Sequence, residues 1–158
     1  MKEINFLTKL KRQKKLELVK PSEELMQSYI DKSQSNLESS KILLNNNKLE
    51  ESVALTYYSM YNMLIALLYK TGMKCENHTG SVILLKIVFG INNSDILNAK
   101  TERVDKQYYT DFKVTKEEIL EGIKNAETFN SNLFDFISRL TTEDINKYRN
   151  KFDELFYD

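Results

Sequence analysis

Apolar residues recur along most of this chain at intervals of three and four, the spacing that places them on one face of an α-helix. A first long helix is predicted to begin after Ser22, a favourable N-cap residue, and to end at a run of three asparagines. A second is predicted from about Leu49 to Lys70, with Gly72 as its stop. Since residues 53–69 are apolar almost all round, this second helix is expected to be the buried middle of a bundle.

Further helical segments flank this pair. They are predicted at about residues 77–89, 94–109, 115–140 and 142–156, with a weakly patterned short helix within residues 4–18. The most definite start is Thr115 to Glu118, a capping box in which each end satisfies a free backbone N–H of the other. The pattern therefore predicts an all-α protein, an up-and-down bundle of four to five helices around a central antiparallel pair.

Composition agrees with long helices. The 158 residues include one proline and four glycines, fewer than the tight turns of a sheet protein of this size would need. Acidic and basic residues balance at 23 each, which argues against a general polyanion binder, although the first 20 residues are strongly basic. We therefore expect residues 1–21 to form a basic N-terminal arm or short helix and residues 22–158 to form the bundle. The basic segment is either a solvated terminus or an arm that touches RNA or an acidic partner.

The residue types that carry most chemistry are scarce. Cys75 is the single cysteine and His78 the single histidine, so a disulfide framework within the chain and a multi-cysteine zinc site are excluded, and we expect no metal and no cofactor. Their spacing would suit a Cys–His nucleophile, but a histidine at a helix start is more often a cap or a hydrogen-bond anchor. The four glycines are isolated and form no phosphate-binding loop. No apolar run is long enough to cross a bilayer or to serve as a secretory signal, so we expect a cytoplasmic protein without membrane contact.

Two segments hold the remaining candidates for a functional site. One is the centre of the second helix, where three phenols stand close together: Tyr57, Tyr58 and Tyr61. Their simplest interpretation is core packing, with each hydroxyl reaching a hydrogen-bond partner. The other is the segment 103–110, in which Arg103 precedes Tyr108. Its simplest interpretation is an arginine that ties helices together through carboxylates.

Together these segments resemble the sequence pattern of HEPN domains. Residues 49–61, which end in Tyr-Tyr-Ser-Met-Tyr, resemble the second helix of that family, and the Asn-His-Thr-Gly-Ser stretch at 77–81 resembles the loop and helix start that follow. Residues 103–109 resemble its Arg…Asp-Tyr segment, and residues 114–129 resemble its final long helix. The four pieces occur in the right order and span about residues 22–140, most of the chain.

The resemblance implies a helical bundle that often forms a homodimer and is often encoded beside a minimal nucleotidyltransferase, as in toxin–antitoxin pairs. Active members are metal-independent ribonucleases with an Arg-x4-Tyr-x-His motif. In that motif the histidine acts as general base on the ribose 2′-hydroxyl, and the arginine stabilises the charge of the phosphorane. Arg103 and Tyr108 fit the motif, but Thr110 occupies the histidine position and has no group that titrates near neutral pH. This departure argues against ribonuclease activity.

The resemblance therefore implies, first, a non-catalytic protein that binds a nucleotidyltransferase-type partner and retains affinity for RNA or nucleotide. The residues expected to bind that ligand surround the arginine: Arg103, Asp105, Tyr108, Tyr109 and Tyr58. The alternative is a ribonuclease toxin with a rearranged site, whose catalytic candidates are Arg103, His78 and Tyr108. A purely structural helical adaptor without nucleotide contact is the third interpretation.

Overall fold

The computed structural model describes residues 1–108 and 113–157, and the side chains of all of these except 104–108. In this part of the chain the elements are α1 (Lys2–Arg12), β1 (Leu16–Leu18), α2 (Glu23–Asn45), α3 (Leu49–Thr71), β2 (Met73–Cys75), α4 (His78–Ile87), α5 (Ser94–Tyr108), α6 (Lys116–Arg139) and α7 (Thr142–Glu154). The predicted all-α class is confirmed. None of these described helices has the length and apolar character that a membrane span requires.

The centre of the fold is the pair α2 and α3, whose ends lie where the sequence predicts them. At the start of α2, the Ser22 side chain accepts a hydrogen bond from the backbone N–H of Leu25. At the end of α3, Gly72 adopts the left-handed conformation with a φ of 74°. Helices α2, α5, α6 and α7 all pack against α3, so it is the buried helix that its apolar sequence predicts.

Small polar residues line the contact between α2 and α3. Ser33 donates a hydrogen bond to the backbone carbonyl of Ser59 at 2.6 Å. Ser40 donates to the carbonyl of Ser52 at 2.9 Å, and its hydroxyl lies 2.6 Å from that of Thr56. The residue later in α2 contacts residues earlier in α3, so the two helices are antiparallel, as predicted. Small side chains let the helices approach closely, and the hydrogen bonds satisfy the buried hydroxyls.

The sides of α3 that do not contact α2 face the main hydrophobic core. Helix α6 contributes Ala126 and Leu133, α5 contributes Ile96, and α7 contributes Phe152, all of them buried. The predicted N-cap of α6 is confirmed, because the side chain of Thr115 accepts a hydrogen bond from the backbone N–H at the third position of the helix. The apolar faces of the flanking helices therefore pack against one central helix, α3.

Residues 1–21 contain α1 and a strand rather than a helix that reaches Leu18. Leu7 and Leu10 of α1 are buried in the main core. Strand β1 then pairs antiparallel with β2, so that Leu18 lies opposite Met73. The sequence pattern does not predict this pairing, because three-residue strands show too little alternation and their partners are far apart in the chain.

Helix α4 is short, and its first turn is closely packed. The side-chain oxygen of Asn77 accepts a hydrogen bond from the backbone N–H of Gly80 at 2.8 Å. Gly80 itself is buried against α1, where a β-carbon would lie 2.5 Å from Leu10 Cδ1. This packing fixes the turn that carries His78.

Candidate functional site

Arg103 extends from α5 to the tyrosines of α3. Its Nη1 donates a hydrogen bond to the hydroxyl of Tyr58 at 2.6 Å. Its guanidinium carbon lies 5.0 Å from the centre of the Tyr57 ring and 5.2 Å from that of Tyr58, within the range of a cation–π interaction. No carboxylate among the described residues forms an ion pair with it. The tyrosines therefore orient the guanidinium without neutralising its charge.

His78 contacts the same group of tyrosines from the first turn of α4. Its Nδ1 lies 2.9 Å from the hydroxyl of Tyr57, and its ring stacks on that of Tyr61 with a centroid separation of 3.9 Å and an interplanar angle of 16°. Arg103 and His78 thus both contact Tyr57, one over the ring and the other at the hydroxyl. We refer to Arg103, His78, Tyr57, Tyr58 and Tyr61 as the arginine cluster.

Among the described residues, positive charge dominates at and beside the arginine cluster. Lys100, one turn before Arg103 on α5, donates a hydrogen bond to the hydroxyl of Thr79 at 2.7 Å. Burial and then the charge of Arg103 lower the pKa of Lys100. Burial, followed by the charges of Arg103 and Lys100, also lowers the pKa of His78, so its imidazole is neutral at pH 7. Two cations beside a neutral imidazole favour an anionic ligand.

The phenols beside His78 keep their protons near neutral pH. Burial is the largest cause of the raised pKa of both Tyr57 and Tyr61. If Tyr57 donates its proton to Nδ1, the imidazole carries its own proton on Nε2. In the other tautomer Nδ1 donates to Tyr57, and Nε2 is free to accept a proton. The direction of this one hydrogen bond decides whether His78 offers a ligand a donor or a base.

Cys75 does not have the environment of a nucleophile. Its thiol donates a hydrogen bond to the backbone carbonyl of Asn77 at 3.4 Å. Burial raises the pKa of the thiol, so it stays protonated at neutral pH, whereas the nucleophilic form is the thiolate. The structure therefore favours the interpretation of His78 as a hydrogen-bond anchor over a Cys–His nucleophile.

The structure brings three of the predicted site residues into one cluster: Arg103, His78 and Tyr58. The remaining ones have side chains that lie outside the described residues, and so does the threonine of the motif: Asp105, Tyr108, Tyr109 and Thr110. Their positions relative to the arginine stay predictions.

Three residues of this region are not among those predicted to bind the ligand or to act in catalysis. The pattern assigns Tyr57 and Tyr61 to core packing, and it gives Lys100 no role. The spacing of Lys100 and Arg103, one turn apart on one helix, is a signal that could have identified the lysine. The stacking of Tyr61 on His78 joins distant parts of the chain, so no local pattern reports it.

A separate cavity, of about 400 Å³, lies between α3, α5 and α6, and acidic side chains line it. Its rim carries four carboxylates: Asp95, Glu102, Glu118 and Glu121. Asp95 and Glu102 of α5 line this cavity, whereas Lys100 and Arg103 of the same helix lie at the arginine cluster. Because carboxylates repel phosphate, the arginine cluster is the better candidate for an anionic ligand.

Comparison with known proteins finds one family model and a curated relative. The HEPN domain family model matches residues 26–133, which include the whole arginine cluster. The UPF0332 protein PH1297 of Pyrococcus horikoshii is 32% identical over 87 residues, which cover 55% of this chain and 57% of that protein. The chain thus spans little more than half the length of this curated relative.

Proposed function

The chain belongs to the HEPN domain family, and we propose that it is a non-catalytic member that binds a phosphate group of RNA or of a nucleotide at Arg103. We further propose that it works in the cytoplasm with a nucleotidyltransferase-type partner, in a toxin–antitoxin-like system. The proposal of a phosphate site rests on the guanidinium of Arg103, which lies against two tyrosine rings and has no carboxylate partner among the described residues.

The state of Arg103 favours an anionic ligand. Among the described residues, its buried Nε has no hydrogen-bond partner, and Nη1 donates to the hydroxyl of Tyr58. A partly buried cation without a counter-ion loses hydration and gains little in return. A phosphate would supply the missing charge and accept hydrogen bonds from the planar fork of an arginine.

The neighbours of Arg103 suit the same ligand. Lys100 adds a second cation one turn away, and the rings of Tyr57 and Tyr58 support the guanidinium from their faces. His78 is neutral at pH 7 and offers a donor in one of its tautomers. The proposed site is thus a preformed set of donors and cations.

The lack of catalysis is proposed from the sequence. Thr110 occupies the position of the catalytic histidine in the motif of active members, and a threonine hydroxyl does not act as a general base near neutral pH. An arginine without that histidine can still bind a phosphate.

A binding measurement tests the proposed ligand. A labelled single-stranded oligoribonucleotide is titrated with wild type, Arg103→Ala and Arg103→Lys, with unlabelled ATP as competitor. Loss of a charged hydrogen-bonding group is expected to weaken binding about tenfold or more in Arg103→Ala. Arg103→Lys, which keeps the charge but loses the fork, should fall between the two.

Arg139→Ala is the matched control, because Arg139 is exposed and pairs only locally with Asp135. It should bind like wild type. Equal affinity of all four proteins, with circular dichroism showing that each is folded, would remove Arg103 from the site and refute the proposal.

The proposed partner and the homodimer rest on the family alone and have their own tests. A minimal nucleotidyltransferase from the same genome, co-expressed with this protein, should co-purify with it through size-exclusion chromatography. Without a partner, sedimentation should report twice the chain mass. Separate elution of the two proteins would refute the partner, and a monomer at all concentrations would refute the homodimer.

A ribonuclease with a rearranged site is the second candidate, favoured by the contact of both Arg103 and His78 with Tyr57. In the tautomer with a free Nε2, His78 would take the proton of a ribose 2′-hydroxyl, and Arg103 would stabilise the phosphorane charge. The lowered pKa of the imidazole keeps it in the basic, unprotonated form at pH 7.

RNA cleavage in EDTA separates the two candidates. Wild type, Arg103→Ala and His78→Ala are each incubated with the same RNA. We expect no cleavage by wild type above the level of a protein-free control. Cleavage that is lost in both variants would establish a metal-independent ribonuclease and overturn the non-catalytic proposal.

A further inference from the structure

A second cavity, of about 280 Å³, opens beside the arginine cluster. Its walls are mainly aromatic and apolar, with an ion pair at its edge: Tyr29, Tyr61, Tyr69, Ile65, Lys74 and Glu76. We call it the tyrosine pocket. None of these residues except Tyr61 belongs to the arginine cluster, so the function proposed above leaves the pocket unused.

Tyr61 connects the two features. It lines the tyrosine pocket, while its ring stacks on His78 at 3.9 Å and on Tyr57 at 6.0 Å. Tyr57 in turn lies 5.0 Å from the guanidinium carbon of Arg103. The rings of Tyr61 and Tyr57 thus lie between the tyrosine pocket and the guanidinium of Arg103.

The tyrosines of the pocket are held in a fixed arrangement. Tyr29 and Tyr69 stack with a centroid separation of 5.5 Å and an interplanar angle of 20°, and the ammonium of Lys32 lies 5.2 Å from the Tyr29 ring. Lys74 and Glu76 at the edge form an ion pair of 2.9 Å and can donate to and accept from a polar ring edge. Bases bind proteins by stacking on aromatic rings and by hydrogen bonds at their edges, and the pocket wall holds three tyrosine rings together with this ion pair.

We infer that the tyrosine pocket binds a nucleobase of the same RNA or nucleotide whose phosphate Arg103 holds, an inference that rests on the proposed function. Stacking is tolerant of sequence, because every base has a π-face. We therefore expect a ligand with a base to bind more tightly than one with phosphates alone, with only modest preference among bases. The competing occupant is an aromatic side chain of a protein partner.

Free nucleosides test the pocket without the phosphate site. In protein labelled at isoleucine methyl groups, saturating adenosine or uridine should shift the Ile65 resonance through the ring current of the bound base. Ile42, which is 54% exposed and does not line the pocket, is the internal control and should not shift. The shift should persist in Arg103→Ala and disappear in Tyr29→Leu. An unmoved Ile65 at saturating nucleoside would overturn the inference and leave the pocket to a protein side chain.

Oligonucleotides then separate the failure of the inference from that of the proposed function. Affinities are measured for an oligoribonucleotide and for its abasic counterpart. Tyr29→Leu and Tyr69→Leu should bind the normal strand about tenfold more weakly and the abasic strand as wild type does, whereas Arg103→Ala should weaken both. Tyr157→Leu, at an 80% exposed position, is the control.

The outcomes differ for the two ideas. If Arg103→Ala weakens both strands and the tyrosine variants bind like Tyr157→Leu, the nucleobase pocket is refuted and the phosphate site stands. If Arg103→Ala weakens binding of neither strand, the phosphate site is refuted. A single site that binds both base and phosphate is then refuted as well. Two tyrosine variants at different positions guard against a local folding defect in either.

Discussion

Arg103 is stabilised differently from Arg139 and Arg149. Arg139 lies next to a carboxylate, and Arg149 donates to three backbone carbonyls, whereas the described partners of Arg103 are one phenol and two ring faces. Cation–π contacts at a partly desolvated site contribute on the order of 1 kcal/mol each, less than an ion pair with good geometry would supply there. The fold thus positions the side chain without a carboxylate partner from the described residues, as the proposed phosphate site requires.

Tyr58→Phe tests this arrangement at the level of one atom. The change removes the hydroxyl that accepts from Arg103 and keeps the ring beneath the guanidinium. We expect a loss of about 1 kcal/mol in the free energy of unfolding and several-fold weaker RNA binding, because the arginine is less well oriented. Urea unfolding and the oligoribonucleotide titration measure the two effects. If Tyr58→Phe and the exposed control Tyr157→Phe behave alike, the hydrogen bond does not orient the arginine.

His78 makes a prediction about pH. Its pKa is lowered by burial and then by Arg103 and Lys100, so the unfolded chain binds a proton at higher pH than the folded chain does. Folding stability should therefore be fully retained above the ordinary histidine pKa of about 6.5 and decrease as the pH falls below it. The Tyr57 and Tyr61 phenols that also face the ring stay neutral in this range.

His78→Gln isolates the effect, since glutamine can keep a hydrogen bond to Tyr57 and does not titrate. Melting temperatures of both proteins are measured from pH 8 to pH 5. The advantage of wild type over the variant should shrink below about pH 6.5. A difference that stays constant across the range would mean that the environment of His78 does not disfavour its charged form.

At the scale of elements, the position of α4 depends on a close contact rather than on a strong helix. The first turn of α4 brings His78 to the tyrosines of α3, and it does so because Gly80 lets α1 approach it. A β-carbon at Gly80 would lie 2.5 Å from Leu10 Cδ1 and 3.0 Å from Cys75 Sγ. The site therefore depends on α1, although no residue of α1 belongs to it.

Gly80→Ala should destabilise the protein by about 1–3 kcal/mol, as overpacking of a buried contact does. Gly122→Ala is the matched control in α6, because a β-carbon there meets nothing within 4 Å. In a helix interior that control should be neutral or stabilising by up to about 1 kcal/mol. Urea unfolding compares the two variants, and equal stability would contradict the close contact between α1 and α4.

The elements also show what local pattern can predict. The ends of α2, α3 and α6 were predictable because Ser22, Gly72 and Thr115 act within their own turn. The pairing of β1 with β2 was not, because each strand is three residues long and the two are separated in the chain by α2 and α3. The arginine cluster lies between these cases. Arg103, Tyr58 and His78 could be selected from their sequence context, but the contacts that join them cross three helices.

In the whole molecule, Arg149 connects helix α7 to the N-terminal segment and to the end of α3. From α7, its Nη1 donates to the carbonyls of Val19, Thr71 and Gly72 at 2.8–3.0 Å. These carbonyls follow β1 and end α3, so one side chain connects α7, the N-terminal segment and the central helix. With the burial of Leu7 in the main core, this contact indicates that residues 1–21 fold together with the bundle.

Arg149→Ala should lower the free energy of unfolding by about 1.5–3 kcal/mol, the contribution of hydrogen bonds from a charged group. Arg139→Ala, which removes an exposed arginine, should cost less than about 1 kcal/mol. Wild type should unfold in one transition by both circular dichroism and tyrosine fluorescence. Separate unfolding transitions for the two probes, or equal stability of the two variants, would show that Arg149 does not stabilise the packing of the N-terminal segment and α7 on α3.

The salt dependence of RNA binding tests whether Arg103 contacts a phosphate. The dissociation constant of an oligoribonucleotide complex is determined at several salt concentrations for wild type and Arg103→Ala. Loss of one phosphate contact should reduce the slope of log K against log salt by about 0.7, the value for a single strand, together with about tenfold weaker binding. Identical slopes and affinities would show that Arg103 does not contact the nucleic acid backbone and would contradict the account.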